Sequence, residues 1–294
     1  RKDSLMYACL PKYLRTFLLL VLPALLVLAC SRIDLAYRNL DVLVPWSLND
    51  YLNMNRQQKT WLNQRLKQHL AWHCRTQLPG YLTWIDEVRQ MVANDQVTEQ
   101  QLQLRTQEAK QAIAKVADQI TPSAAQLLRA MDDEQVHEMR QAFAEDISER
   151  QAKYVKTPLA RQVQQRAERM EKRLTPWLGE LSSQQRLRIM TWSQGLGEQN
   201  RQWIANRANW QAHFSAAMDQ RHSDSFEPQL VRLLKNRESL WTPEYRLAYQ
   251  RTETQARRLL VDLMAQSSEQ QRAHLEQKLD QVRKDFSELK CMKG

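Results

Sequence analysis

Three neighbouring side chains carry the chemistry that a metal site would need. His69 and His73 are four residues apart, which places both imidazoles on one face of a helix at a spacing that suits Zn²⁺. Cys74 follows directly but points about 100° away from His73 on a helical wheel. Leu62, Leu66 and Leu70 share the histidine face. Hydrogen-bonded core histidines are therefore the expected role, and a metal centre is the lesser reading. The sequence holds no Gly-rich phosphate loop, no Gly-x-Ser-x-Gly elbow and no His-Glu-x-x-His pair. Its carboxylates sit among Arg and Lys at helix-surface spacing. No catalytic residue is assigned, a non-enzymatic role is expected, and no cofactor is implied.

Cys30 offers a different chemistry. Lys12 and Arg15 precede an apolar run of 13 residues, 17–29, that ends in Val27-Leu28-Ala29 just before it. A spanning helix needs about 20 apolar residues. A basic head, a shorter apolar middle and a small residue before a cut is the layout of a secretory signal peptide. The cysteine after the cut looks like a bacterial lipobox, which implies thioether lipidation at Cys30 and a stable anchor of two or more acyl chains. Ser31, in place of Asp, implies sorting to the outer membrane with the domain facing the periplasm. Arg1 is no initiator and Met6 begins a head of normal length, so Arg1 to Leu5 are expected to lie outside the native precursor.

Cutting before Cys30 leaves 265 residues, enough for one large domain. Five Gly and nine Pro are few, and Ala, Leu, Gln, Glu, Arg and Lys dominate. The class is all-α. Arg1, Lys2, Lys12, Arg15 and Asp3 precede the cut, so about +7 of the formal +10 stays with the domain. Residues 153–173 form the densest block, seven basic against two acidic, read as a solvated helix face. Without an RNA-binding fingerprint, the anions to expect are lipid headgroups, lipopolysaccharide or acidic proteins rather than nucleic acid.

Cys9 and Cys30 belong to the leader and the anchor, which leaves Cys74 and Cys291. In an oxidising compartment they can pair, tying the C-terminus to the first long helix. Two free thiols or an intermolecular bond are the alternatives.

The elements that must position these residues are helices. Residues 30–46 read as the lipidated tether, with 32–46 a short helix or an extended link that ends near Pro45. Asn53 or Asn55 caps a long helix that runs to about residue 76, and Leu78-Pro79-Gly80 breaks it before a second helix from Tyr81. An apolar residue, a cap and a Gln three residues on recur at Val97–Gln101, Met131–Gln135 and Leu181–Gln185, with a looser copy at Ser267–Gln271. Thr121-Pro122 and Thr242-Pro243 read as helix starts. Residues 120–143 and 174–196 share Thr-Pro followed by this box, but the periods are too uneven for a solenoid. Over residues 182–219 Trp192, Leu196, Trp203, Trp210 and Phe214 fall within about 40° on a wheel. That stripe is a core seam or, if open, an aromatic binding groove of Trp192, Trp203 and Trp210. Leu275, Leu279, Val282, Phe286 and Leu289 repeat at coiled-coil spacing, for packing within the chain or for a dimer through 275–289.

Arg38-Asn39-Leu40-Asp41, Asn49-Asp50-Tyr51-Leu52 and Trp72-His73-Cys74-Arg75 with Leu78-Pro79-Gly80-Tyr81 follow the lipobox. Together they resemble an uncharacterised family of Gram-negative helical lipoproteins, a domain of unknown function, whose most specific mark is Trp-His-x-x-x-x-Leu-Pro. The resemblance implies an all-helical periplasmic lipoprotein and defines no functional residue. Leu181–Gln185 is more weakly similar to the Leu-Thr-x-x-Gln motif of helical periplasmic chaperones, with Ser for Thr. The expected architecture is a signal peptide over 1–29, a lipidated tether over 30–46 and a bundle of about nine or ten helices over 47–294. The expected role is binding, scaffolding or envelope maintenance by a monomer. A holder of periplasmic client proteins is the alternative, and a metal-binding or sensing lipoprotein the third reading.

Overall fold

Capping chemistry recurs at most of the turns. The computed structural model describes Tyr37, residues 39–289 and Cys291; the leader 1–29, Cys30 and the first part of the tether lie outside the described residues. Among the described residues there are eleven α-helices and no strand. In chain order they are α1 Leu40–Leu52, α2 Arg56–Thr76, α3 Leu78–Ala93, α4 Glu99–Arg129, α5 Asp133–Tyr154 and α6 Leu159–Leu178. There follow α7 Ser183–Gly195, α8 Gln199–Asp219, α9 Phe226–Leu234, α10 Pro243–Ala265 and α11 Glu269–Ser287. A 3₁₀ turn, Arg237–Leu240, joins α9 to α10. None of these helices is long and apolar enough to cross a membrane.

The all-α class is as expected, with boundaries that shift for identifiable reasons. Residues 40–46 of the expected tether are helix, and α1 runs through Pro45. Thr121-Pro122 does not start a helix: α4 continues through it for 31 residues, about 46 Å of rise. Pro122 has no N–H to give the preceding turn, while the Thr121 hydroxyl donates to the Ala117 carbonyl at 2.6 Å. Thr242-Pro243 does start one, with Thr242 Oγ1 accepting from the Tyr245 N–H. The pattern over 182–219 is two helices. The break falls at Gly195 to Glu198, where Gly197 has φ +50°, a left-handed conformation that glycine adopts without a Cβ clash.

Four helix starts have a full capping box: Asn55–Gln58, Asp132–Gln135, Ser182–Gln185 and Ser268–Gln271. Their glutamines meet in pairs. Gln58 Nε2 donates to Gln135 Oε1 at 3.1 Å and Gln135 Nε2 returns a bond to Gln58 Oε1 at 2.8 Å. Gln185 and Gln271 do the same at 3.1 and 2.9 Å. Each glutamine oxygen also accepts from its own cap residue's N–H. Each second amide N–H reaches a carbonyl just ahead of the partner's cap: Ala130, Asn53, Leu263 and Glu180. Both donors and two acceptor positions of every amide are thus used, which is why groups this polar can be buried.

Each clasp joins two helix–turn–helix units and sits beside an apolar core. Around Gln58 and Gln135, helices α1, α4, α5, α8 and α9 bury Leu52, Leu128, Met139, Met218, Phe226 and Leu230. Around Gln185 and Gln271, helices α6, α7, α10 and α11 bury Ala167, Ile189, Trp192, Leu259, Leu263 and Leu279. A third cluster joins α2, α3 and α11 through Cys74, Leu78, Ile85, Val282, Phe286 and Leu289. The seam of α11 therefore packs within the chain, against α3 and α6. Each large apolar side chain buried there contributes about 1.5–3 kcal/mol.

Gln185→Leu leaves the Ser182 N–H without its acceptor and strips the Gln271 amide of one donor and one acceptor partner, and should destabilise the fold by about 2–4 kcal/mol in urea unfolding. Gln185→Leu with Gln271→Leu should cost clearly less than the sum of the two single changes, because the orphaned amides leave together.

Candidate functional site

Helix α2 begins at its Asn55 capping box and carries both histidines toward its C-terminal end. They do not converge. His69 Nε2 pairs with Ser123 Oγ of α4 at 2.8 Å. His73 turns to the other side and uses both ring nitrogens: Nδ1 lies 3.0 Å from the Tyr37 hydroxyl and Nε2 lies 3.0 Å from the Tyr81 hydroxyl. Tyr37 donates its own proton to the Leu70 carbonyl at 3.2 Å. The Tyr37 oxygen is then the acceptor for the imidazole, so Nδ1 carries the ring proton and Nε2 accepts from Tyr81. Tyr37 stacks on the imidazole and Tyr81 meets it edge-on.

This arrangement favours a neutral ring. Burial lowers His73 to about 4, and burial raises Tyr37 to about 12 and Tyr81 further. His69 is also lowered, by burial and then by Arg65. Among the described residues no three His, Cys, Asp or Glu are grouped to hold a metal. The chemistry of His73 is that of a neutral hydrogen-bond bridge between the segment before α1 and helices α2 and α3.

Cys74, next to His73, is bonded to Cys291, with a Cα–Cα distance of 6.2 Å across 217 residues of sequence. The disulfide closes the third apolar cluster, where Cys74 is buried beside Leu78, Phe286 and Leu289. On loop length alone it is worth about 5 kcal/mol.

The tryptophan stripe is divided by the Gly197 break. Trp192 is buried in the second core. Trp210 packs on the first, its indole N–H donating to the Leu233 carbonyl at 2.9 Å and its ring against Phe143 and Phe214. Trp203 lies half-buried against Tyr154. The three rings line no common groove. The wheel that aligned them assumed one unbroken helix, and the turn at 195–198 resets the phase.

Several polar ties were not read from the sequence. Asp146 of α5 accepts from Arg150, from Arg207 and Gln211 of α8, and from the Tyr51 hydroxyl of α1. Two guanidiniums hold its carboxyl below the usual range against the opposing effect of burial. Arg166, placed on a solvated face by the sequence, is buried. It donates to the Ser193 and Gly197 carbonyls at 2.8 and 2.9 Å, satisfying the C-terminal end of α7. Arg221 does the same between the ends of α4 and α8, donating to the Met131 and Met218 carbonyls. No local signal marks Arg166, because its carbonyl partners lie 27 and 31 residues further along the chain.

Two measurements check this site. His73 has a folded value near 4 and an unfolded value near 6.5, so the unfolded chain binds more protons between them. Its contribution to stability is complete above about 6.5 and is lost as pH falls toward 4. The stability advantage of the wild type over His73→Gln, measured by urea unfolding at successive pH values, should shrink across that window and level off below it. Thiol labelling of the unfolded, unreduced chain should leave Cys74 and Cys291 unmodified, and prior reduction should expose both and lower the unfolding midpoint.

No curated protein and no solved structure matches the chain. A family model does, over residues 50–246, from the last turn of α1 to the first turn of α10, taking in both histidines, the first clasp and the basic helix α6. The chain belongs to the family of unknown function DUF6279.

Proposed function

We propose that this chain is an outer-membrane-anchored periplasmic lipoprotein whose helical domain binds or scaffolds other envelope components without catalysis. The observation that carries the reading is Val27-Leu28-Ala29-Cys30 at the end of a 13-residue apolar run with a basic head. The bonded Cys74–Cys291 pair supports it, because such bonds persist in oxidising compartments. The use of the polar groups supports it as well. The buried glutamines, Arg166, Arg221 and Asp146 tie one helix to another, and His73 is held between two tyrosines. They are the fittings of a rigid scaffold.

The holder of client proteins is the second reading. An open groove of Trp192, Trp203 and Trp210 would have favoured it, and burial of Trp192 in a core weighs against it. The Gln of Leu181–Gln185 is committed to the clasp with Gln271. A metal sensor would need His69 and His73 to leave their present partners.

Replacing the proposed lipid acceptor, Cys30→Ser, should leave the chain uncut and unacylated, read as the intact mass of protein from the membrane fraction. Normal cleavage and acylation of that variant would overturn the anchor. Crosslinking in intact envelopes followed by mass spectrometry separates the two roles: one protein recovered at stoichiometric yield supports a scaffold, many unrelated proteins a holder.

A further inference from the structure

Helix α6 places Leu159, Gln162, Arg166, Arg169 and Arg173 within about 80° of one another on a helical wheel. Arg166 anchors this face to the end of α7. Arg169 lies over the Tyr154 ring, 5.8 Å from its centroid. Tyr154 meets Trp203 of α8 edge to face at 6.1 Å, and Arg150 lies over that indole at 5.2 Å. Arg150 and Arg207 share the Asp146 carboxylate. Contacts thus run unbroken from Arg207 through Asp146, Arg150, Trp203 and Tyr154 to Arg169, with Arg166 and Arg173 one turn away on either side.

Along this run Arg150 and Arg207 share the Asp146 carboxylate, and Arg166 donates to backbone carbonyls. The acids of α6 itself are engaged elsewhere, Glu168 with Gln164 and Glu171 3.9 Å from Arg186. No described carboxylate pairs with Arg169 or Arg173. Burial lowers Arg166 and Arg173, and Arg169 lowers both further, so the cluster repels itself. The same face leaves Leu159 44% exposed and the Trp203 and Tyr154 rings half-exposed. Unneutralised arginines interleaved with tryptophan, tyrosine and an exposed leucine match the boundary layer of a bilayer, where phosphates and the first acyl carbons meet. An arginine fork also fits phosphate oxygens in pairs.

We propose that this face, centred on Arg169, Arg173, Tyr154 and Trp203, docks on the phosphate-bearing headgroups of an anionic bilayer. The charge complementarity stands by itself. The question of reach rests on the lipoprotein reading: Cys30 precedes Tyr37 by seven residues, a span of at most about 25 Å, which holds the domain close to the surface that anchors it. The contact deepens the scaffold reading by giving the domain a fixed attitude on the membrane rather than a free swing on its tether.

The full chain is reconstituted in phosphatidylcholine vesicles, brominated near the headgroup, with and without phosphatidylglycerol. Anionic lipid should remove about a further tenth of the tryptophan emission, the share of one ring among nine. The increment should vanish in Trp203→Phe, in Arg169→Gln with Arg173→Gln, and at high salt. Arg166 is left in place because it holds α7. Circular dichroism should be unchanged in each variant, so loss of the increment is not loss of the fold. Equal quenching in both vesicle types would overturn the proposal, as would an increment that survives the double arginine change. So would a crosslink from this face to an acidic envelope protein with no lipid effect. The Cys30→Ser chain keeps its apolar run and still holds to vesicles. It should show the same increment, so failure of the anchor and failure of the docking face are read separately.

Discussion

Burying an amide side chain is costly unless all its hydrogen-bonding positions are filled, and this fold repeatedly depends on filling them. Gln58, Gln135, Gln185 and Gln271 each close a helix start and grip the glutamine that closes another. The constraint is geometric as much as energetic. An amide pair joined in both directions fixes the distance and the plane between two helix ends. The carbonyl taken by the remaining N–H fixes where the preceding helix must stop. Apolar packing alone would tolerate small slides between neighbouring helices. The clasps do not, so the two large cores inherit their register from them.

The two halves of the chain use this device alike. In each, a helix–turn–helix unit meets a second one that arrives later in the sequence. In each, a buried arginine satisfies carbonyls at a neighbouring helix end: Arg221 in the first and Arg166 in the second. The third cluster, around Cys74 and Phe286, joins α2 and α3 to α11.

Much of the fold was legible because its signals are local. Composition set the class, and cap-x-x-Gln marked helix starts at Asp132, Ser182 and Ser268. Cysteine arithmetic left Cys74 and Cys291 free to pair, with two thiols or an intermolecular bond as alternatives, and the two are bonded within the chain. What failed was long-range or context-dependent. A helical wheel cannot register a phase reset, so Trp192, Trp203 and Trp210 aligned on paper and separated in space. Thr-Pro reads the same at Thr242, where it starts a helix, and at Thr121, where a helix passes through it. His69 and His73 were correctly placed near an apolar face, but their partners Ser123, Tyr37 and Tyr81 come from other elements. The partners of the clasp glutamines lie 77 and 86 residues apart, beyond any spacing rule.

The disulfide has a mechanical meaning. With Cys74 joined to Cys291, the chain between them is a closed covalent ring, and helices α3 to α11 lie inside it. Tension applied between the N-terminal segment and the extreme C-terminus passes along α1 and α2, crosses the sulfur bridge and leaves, without loading the ring. The second clasp, Gln185 with Gln271, and the apolar core beside it are thereby spared a pull carried by the two terminal segments. Helices α1 and α2, the first clasp through Gln58 and the Tyr37–His73–Tyr81 bridge stand in the line of force.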